Sequence, residues 1–438
     1  MKEKILTIYS IILLGITYTN AQSLGRVGSP NDTVTTCTAG TVLMGGGADV
    51  DAAFTWMITK SGGGDFVVIR ATGTNAYNSY IYGLGPANSV ETFLVNSKTK
   101  ANDSVIVQAI RKAEAIFFAG GDQNDYITFY KGTALGKVID YLANVKHAPI
   151  GGTSAGMAIQ GYIYYDGITN VLSSEALLNP YASGTGIHYN DFLHNPFLKK
   201  TICDTHFSTK GGTTSNGITG RQGRLMSFLA RMITDSTLSD GKGIACDEKT
   251  AVCIDENGIG MVIGVNKAYF LRQWCAAPET CVSGLPLTWT NGAKVYIIKG
   301  PGNYTTLPDR SKSVNLSDWI TVSGGTYNYW TVNNGLLTIG QTTGTPVICN
   351  PYAIDEINSV SRVQIFPNPT PDFVYITLQQ PSENSTVKLV SITGQIFYER
   401  TNLAGNQFRL DISSLMNGLY IIEIIHDGNV LRSKIVKQ

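Results

Sequence analysis

Gly152-Thr153-Ser154-Ala155-Gly156 sets a serine between two small residues and two glycines. That G-x-S-x-G spacing lets a strand turn sharply into a helix and leaves the hydroxyl exposed as a nucleophile. The N–H of Ala155 would point at a developing oxyanion, and a helix N-terminus behind it would add favourable partial charge. A serine of this kind needs a base, and five histidines are available. His426 lies near the C-terminus, His147 precedes the serine's strand, and His188 and His194 sit in a polar loop. His206 follows the strand-like run Thr201-Ile202-Cys203, and α/β proteins place site residues at such carboxyl ends, so His206 is the expected base. The imidazole in turn needs a carboxylate to hold its tautomer. Glu175 in Ser173-Ser174-Glu175-Ala176-Leu177 is the first candidate and Asp166 the second, with a helix-capping role as the structural alternative for Glu175.

Elements able to position these residues are visible from about Thr41 to Val252. Apolar strand-like runs (Val42-Leu43-Met44, Phe66 to Ile69, Ala115 to Phe118) alternate there with helical stretches, the pattern of an α/β domain with a mainly parallel sheet. Tyr126, Phe129, Tyr130, Ala134, Val138, Ile139 and Leu142 recur every three or four residues and predict one helix after Gly120-Gly121-Asp122-Gln123. Ala148-Pro149-Ile150 then leads into the serine turn, so two successive strand, glycine turn, helix units are expected. Residues 253–300 read as β-hairpins closing the domain. Residues 301–361, rich in Gly, Thr, Asn and Tyr, read as a β-rich extension without an assigned role. Short alternating strands fill residues 362–438 and predict a compact β-sandwich.

The chain has 438 residues, which predicts more than one domain, and its 33 basic and 32 acidic residues create no long-range field for nucleic acid. Residues 1–21 have Lys2 and Lys4 before an apolar run and end Thr19-Asn20-Ala21, as a signal peptide does. No stretch approaches the roughly 20 apolar residues of a membrane helix. Of seven cysteines, Cys275 and Cys281 form the best local disulfide pair. None of the spacings is C-x-x-C and the histidines do not cluster with cysteines, so neither a metal nor another cofactor is expected.

Gly120-Gly121-Asp122-Gln123, Gly151 to Gly156, Asp204-Thr205-His206-Phe207, Gly220-Arg221-Gln222-Gly223-Arg224-Leu225 and Asp247-Glu248-Lys249-Thr250-Ala251 occur in an order that resembles the cyanophycinase and S51 serine peptidase family. The resemblance covers roughly residues 38–300, and the serine peptidase domain is placed at 22–300. It implies an α/β fold like that of class I glutamine amidotransferases, flavodoxin-like, with helices on both faces of the sheet. It also implies a relay of Ser154, His206 and Glu175, an oxyanion hole from the backbone of Ala155 and Gly121, and a substrate pocket with Gln123, Asp122, Asp204, Thr205, Arg221 and Arg224. The substrate it implies is an aspartyl or β-aspartyl peptide, cyanophycin among them. Two departures fall on that pocket: Thr205 stands where the family carries glutamine, and the arginines come only after the polar insertion Ser208 to Thr219. An arginine fork suits a carboxylate, so an aspartyl-rich substrate remains the expectation. The competing readings are a secreted α/β-hydrolase esterase and an inactive binding protein on the same scaffold.

Ile365-Phe366-Pro367-Asn368-Pro369-Thr370, Gly394-Gln395, Asp411-Ile412-Ser413 with Leu415, Gly418 and Tyr420, and the basic end Lys434-Ile435-Val436-Lys437 resemble the C-terminal sorting domain of the type IX secretion system of Bacteroidetes. This implies export through the periplasm to the cell surface or medium, with the secretion machinery as partner of residues 362–438. The reading leaves room for a homodimer.

Overall fold

The computed structural model describes residues 23–235, 240–340, 363–391, 394–426 and 429–438. The expected signal peptide at 1–21 and the end of the expected extension lie outside the described residues. The chain divides into two compact units, Met1–Gly344 and Thr345–Gln438.

In the first unit, five parallel strands form the centre of a ten-stranded sheet in the order Ser89–Leu94, Asp65–Arg70, Ala115–Phe118, Ile150–Thr153, Thr41–Met44. Alternate residues of these strands go to opposite faces, as a pleated strand requires. Val67 and Ile69 pack with the helices Ser104–Lys112, Gln123–Tyr130 and Ala134–Asn144, while Phe66 and Val68 pack with the helix Asp51–Lys60. The single helix expected from Tyr126 to Leu142 is two. Gly132 takes φ +74°, a left-handed conformation that glycine adopts without steric cost, and the Thr133 hydroxyl accepts the Gly136 N–H to start a new helix.

The sheet is mixed rather than mainly parallel. Thr250–Ile254, Ile259–Gly264, Ser313–Asn315 and Val322–Ser323 continue it antiparallel, and Ser23–Gly28 adds an antiparallel strand on the other edge. A second sheet of eight strands includes the parallel run Ile163–Tyr165, Thr201–Asp204, Lys242–Cys246, followed antiparallel by Lys267–Gln273, Trp289–Lys299, Thr326–Asn333 and Leu336–Gly340. The physical reason is connection length. Strands joined by short links pair antiparallel, whereas parallel neighbours need a crossover of a dozen residues or more. Residues 313–340, read from composition as part of a separate extension, therefore add strands to both sheets of the first unit.

The two sheets meet through Leu43, Met157, Cys203, Ile244, Cys246, Val252 and Phe270, all nearly inaccessible to solvent. Behind the second sheet, the helix Gln222–Asp235 buries Leu225, Met226, Phe228 and Leu229 against Leu271, Trp289 and Val295. The expected Cys275 to Cys281 bridge is absent: Cys281 is a free, buried thiol, and Cys275 is disulfide-bonded.

The second unit is a five-stranded antiparallel sheet rather than two stacked layers. Its long strand Phe373–Ser391 pairs with Val363–Phe366 near its start, with Gly418–His426 near its end, and with Ile396–Asp411 along much of its length. Thr370 bridges Lys437 at the end of the last strand, which brings the outer edges together. Val374, Ile376, Val387, Leu389, Leu410, Ile422 and Ile435 fill the interior.

Candidate active site

Ser154 follows the central strand Ile150–Thr153 and takes φ 53° and ψ −118°, a strained turn for a residue with a side chain. The two flanking glycines make that turn feasible. A Cβ on Gly152 would collide with the backbone of Gly156, and one on Gly156 would collide with the carbonyl of Phe118. The helix that follows is a single turn, Ala155–Ala158, shorter than expected, so its macrodipole is small and individual N–H donors matter more. The N–H groups of Ala155 and Gly121 have no hydrogen-bond partner among the described residues. Gly120 packs close to the Ser154 side chain, which puts the Gly120-Gly121 turn beside the hydroxyl.

His206 comes from the other sheet, two residues beyond the strand Thr201–Asp204, also with positive φ. Its Nε2 lies 2.7 Å from the Ser154 Oγ. Its Nδ1 lies 2.7 Å from Oε1 of Glu248, which also accepts the Thr209 hydroxyl at 3.2 Å. With the Nδ1 proton donated to Glu248, Nε2 is free to accept the serine proton. Burial lowers the His206 pKa, and Lys210 and Arg221 push the same way, while the Glu248 carboxylate opposes them. The His206 hydrogen bond is the main cause that holds the Glu248 pKa below its ordinary value.

Three separate segments converge here because one glycine loop ties them together. The carbonyls of Met44, Gly45 and Gly46 accept the N–H groups of Ser154, His206 and Lys249 at 3.0, 2.9 and 2.8 Å. Gly46 takes φ +97°, and a Cβ there would enter the imidazole of His206. The sequence reading missed this loop.

Glu175 does not reach the histidine. Its Oε2 accepts the Leu172 N–H at 2.8 Å and caps the helix Ser173–Leu178, the structural alternative weighed for it. Asp166 pairs instead with His188 at 3.0 Å. The signal for Glu248 was present in the motif Asp247 to Ala251. Only the pairing of Lys242–Cys246 beside Thr201–Asp204 brings Glu248 to His206.

The expected substrate residues separate into two groups. Arg224 is 3% exposed and forks onto Asp204, Nε to Oδ2 at 2.9 Å and Nη2 to Oδ1 at 2.5 Å. Asp204 and Thr205 are buried with it, so these three belong to the interior rather than to a substrate surface. Arg221 donates from Nη1 to the Thr205 carbonyl at 2.6 Å and approaches Asp204 at 3.4 Å. Two guanidinium groups share one carboxylate, and the Arg221 charge reaches His206, where Glu248 opposes it. The Asp122 side chain accepts the Asn124 N–H as a helix cap, and Gln123 donates to the Tyr165 carbonyl at 2.8 Å.

Over 209 residues, 48% of this chain, the sequence is 26% identical to a cyanophycinase from Geminocystis herdmanii. The chain is similar to a cyanophycinase. It spans 64% of that relative's length. Residues 364–438 match the secretion system C-terminal sorting domain family. Among solved structures, a peptidase from an acI-B1 Actinobacterium is 15% identical, covers 64% of this chain and 98% of its own, and superposes with a TM-score of 0.39. A DUF3244 family protein with an immunoglobulin-like β-sandwich from Bacteroides vulgatus is 15% identical over 18% of this chain and 86% of its own, with a TM-score of 0.16. The sorting domain points to export. Among the described residues no helix is long and apolar enough to cross a membrane.

Proposed function

We propose that the chain is an exported serine peptidase of the cyanophycinase kind, which hydrolyses aspartyl or β-aspartyl peptide bonds through an acyl-enzyme on Ser154. The observation that carries this reading is the continuous relay of Ser154, His206 and Glu248, with both hydrogen bonds at 2.7 Å. The class I glutamine amidotransferase-like fold belongs to the same proposal, supported by a nucleophile on a strained turn at the carboxyl end of a central parallel strand.

In this mechanism the Ser154 Oγ attacks the scissile carbonyl as Nε2 of His206 takes its proton. The charge that develops on the carbonyl oxygen is met by the free N–H groups of Ala155 and Gly121. Glu248 holds the Nδ1 proton and stabilises the imidazolium without itself being protonated. His206 then returns the proton to the departing amine, the C–N bond breaks and the acyl-enzyme remains. Water attacks it by the same route in reverse, with His206 again as base, and frees the carboxylate product and the Ser154 hydroxyl. The part-exposed Arg221 guanidinium, close enough to His206 to lower its pKa, supports an acidic substrate.

The direct test is a serine-directed probe, expected to label Ser154, together with hydrolysis of β-aspartyl peptides. Turnover of short-chain esters without peptides would favour the esterase reading. The pH profile follows from the environment of His206. A base must be deprotonated to act, and burial lowers its pKa, so the acid limb of kcat/KM should fall below the ordinary histidine value of about 6.5. Because Glu248 raises the His206 pKa, Glu248→Gln should move that limb lower still. A limb above the ordinary value would contradict the assignment of His206 as base.

Export should depend on residues 362–438. Deleting them is expected to leave active enzyme inside the cells, measured as activity in cell and medium fractions. Normal levels in the medium would remove the sorting role.

A further inference from the structure

Away from the relay, the second sheet of the first unit carries a cavity of about 460 Å³ lined by Lys267, Tyr269, Lys299, Asn328 and Trp330, with Gln222 among its walls. Lys267 and Lys299 are directly opposed partners on antiparallel strands, and both are exposed. Neither ammonium has an ion-pair partner among the described residues. Like charges in opposed positions repel. A third lysine, Lys312, donates to the Lys299 carbonyl at 2.8 Å and adds to the same positive surface. Asp247 is near, but its Oδ2 faces the backbone N–H of Lys267 and the Tyr269 hydroxyl, each at 3.3 Å, and does not neutralise the ammonium.

Two further features suit an anion. Trp330 is 1% exposed, and its indole N–H has no acceptor among the described residues, although a buried indole normally finds one. Gln222 opens a helix of 14 residues, whose N-terminal end carries partial positive charge.

The cavity backs onto the relay. The Tyr269 hydroxyl lies 3.1 Å from that of Ser208. Its ring packs on Phe207, with centroids 4.8 Å apart, and Phe207 stacks on Trp330 within 10° of parallel. Phe207 follows the base His206, and Asp247 precedes Glu248, so both relay loops border this wall.

We propose that the cavity is a docking subsite for an acidic peptide, whose side-chain carboxylates lie between Lys267 and Lys299 with the Trp330 indole as a neutral donor behind them. The choice of a peptide rests on the proposed function, in which the substrate is an aspartyl peptide and the loops of the relay border this wall. The cavity also has the size of a binding pocket for several side chains rather than for one small anion.

The test uses the full chain carrying Ser154→Ala, which leaves the probe uncut, and fluorescein-labelled hexa-aspartate followed by anisotropy. Adding Lys267→Ala and Lys299→Ala should weaken binding by about tenfold and flatten its salt dependence, as loss of two steering charges would. The pair Lys98→Ala and Lys100→Ala, on the helix Lys98–Ala101, should leave affinity within about twofold. In the ¹⁵N-labelled protein, the Trp330 indole resonance, assigned with Trp330→Phe, should shift on saturation and stay still in the double-lysine variant. Unchanged affinity without Lys267 and Lys299, or an unmoved Trp330 resonance at saturation, overturns the proposal. So does succinate binding as tightly as hexa-aspartate, since the cavity would then serve a small dicarboxylate. Probe labelling of Ser154 in the otherwise native chain separates the two readings. Its loss would remove the serine mechanism and leave the anisotropy result standing.

Discussion

Ser154→Ala is expected to lower β-aspartyl peptide hydrolysis by about 10⁴-fold or more while the protein stays folded. The substitution removes the hydroxyl oxygen 2.7 Å from the His206 Nε2, yet keeps a small side chain at a position with φ 53° and ψ −118°. The flanking glycines and the bond from the Ser154 N–H to the Met44 carbonyl do not involve the hydroxyl, so the turn should persist. What remains is the oxyanion site and the binding contacts, which retain only a modest advantage over water. His206→Ala should fall nearly as far, and the double variant little further, because nucleophile and base act as one unit. Initial rates beside thermal melts provide the measurement. A folded Ser154→Ala protein with a tenth of the native rate would end the assignment of Ser154 as nucleophile.

Glu248→Gln should cost about 10²- to 10⁴-fold in kcat, whereas Glu175→Gln should leave the rate within about twofold. Glutamine at 248 can offer an amide N–H to Nδ1, which favours the wrong tautomer, and it cannot stabilise the imidazolium through charge. Among the described residues the Glu175 carboxylate accepts one hydrogen bond, from the Leu172 N–H at the start of a short helix, so its loss should appear as a small decrease in melting temperature. Comparable losses of kcat in the two variants would place the acid elsewhere and require a relay different from the one described.

The contrast between these two carboxylates marks the limit of what a linear reading can supply. Glu175 lies between Ser154 and His206 in the chain, where an acid search naturally falls, and Ser173-Ser174-Glu175 offers a helix start that satisfies a backbone donor. Glu248 lies 42 residues beyond His206, and its proximity is created by the parallel pairing of Lys242–Cys246 with Thr201–Asp204. Likewise, Arg221 and Arg224 read as a carboxylate fork, and Arg224 is one, but the carboxylate it grips is the protein's own Asp204. Spacing along a helix cannot say whether such a fork faces solvent or a buried acid.

By itself the sequence determined the features governed by local sterics and periodicity. The glycines of the serine turn announce a backbone with no room for side chains, and the alternation of apolar runs with helical stretches announces an α/β domain; the F-P-N-P-T start with its basic end carried the resemblance to the sorting domain. Tertiary structure alone decided which distant groups meet. Antiparallel hairpins after Thr250 made the sheet mixed, Gly132 divided one apolar stripe into two helices, and the carbonyls of Met44, Gly45 and Gly46 tied Ser154, His206 and the Lys249 that follows Glu248 together through backbone hydrogen bonds. The physical reason is that strand pairing is a long-range choice, set by how both faces of a sheet are buried, and a one-dimensional pattern carries only half of each contact.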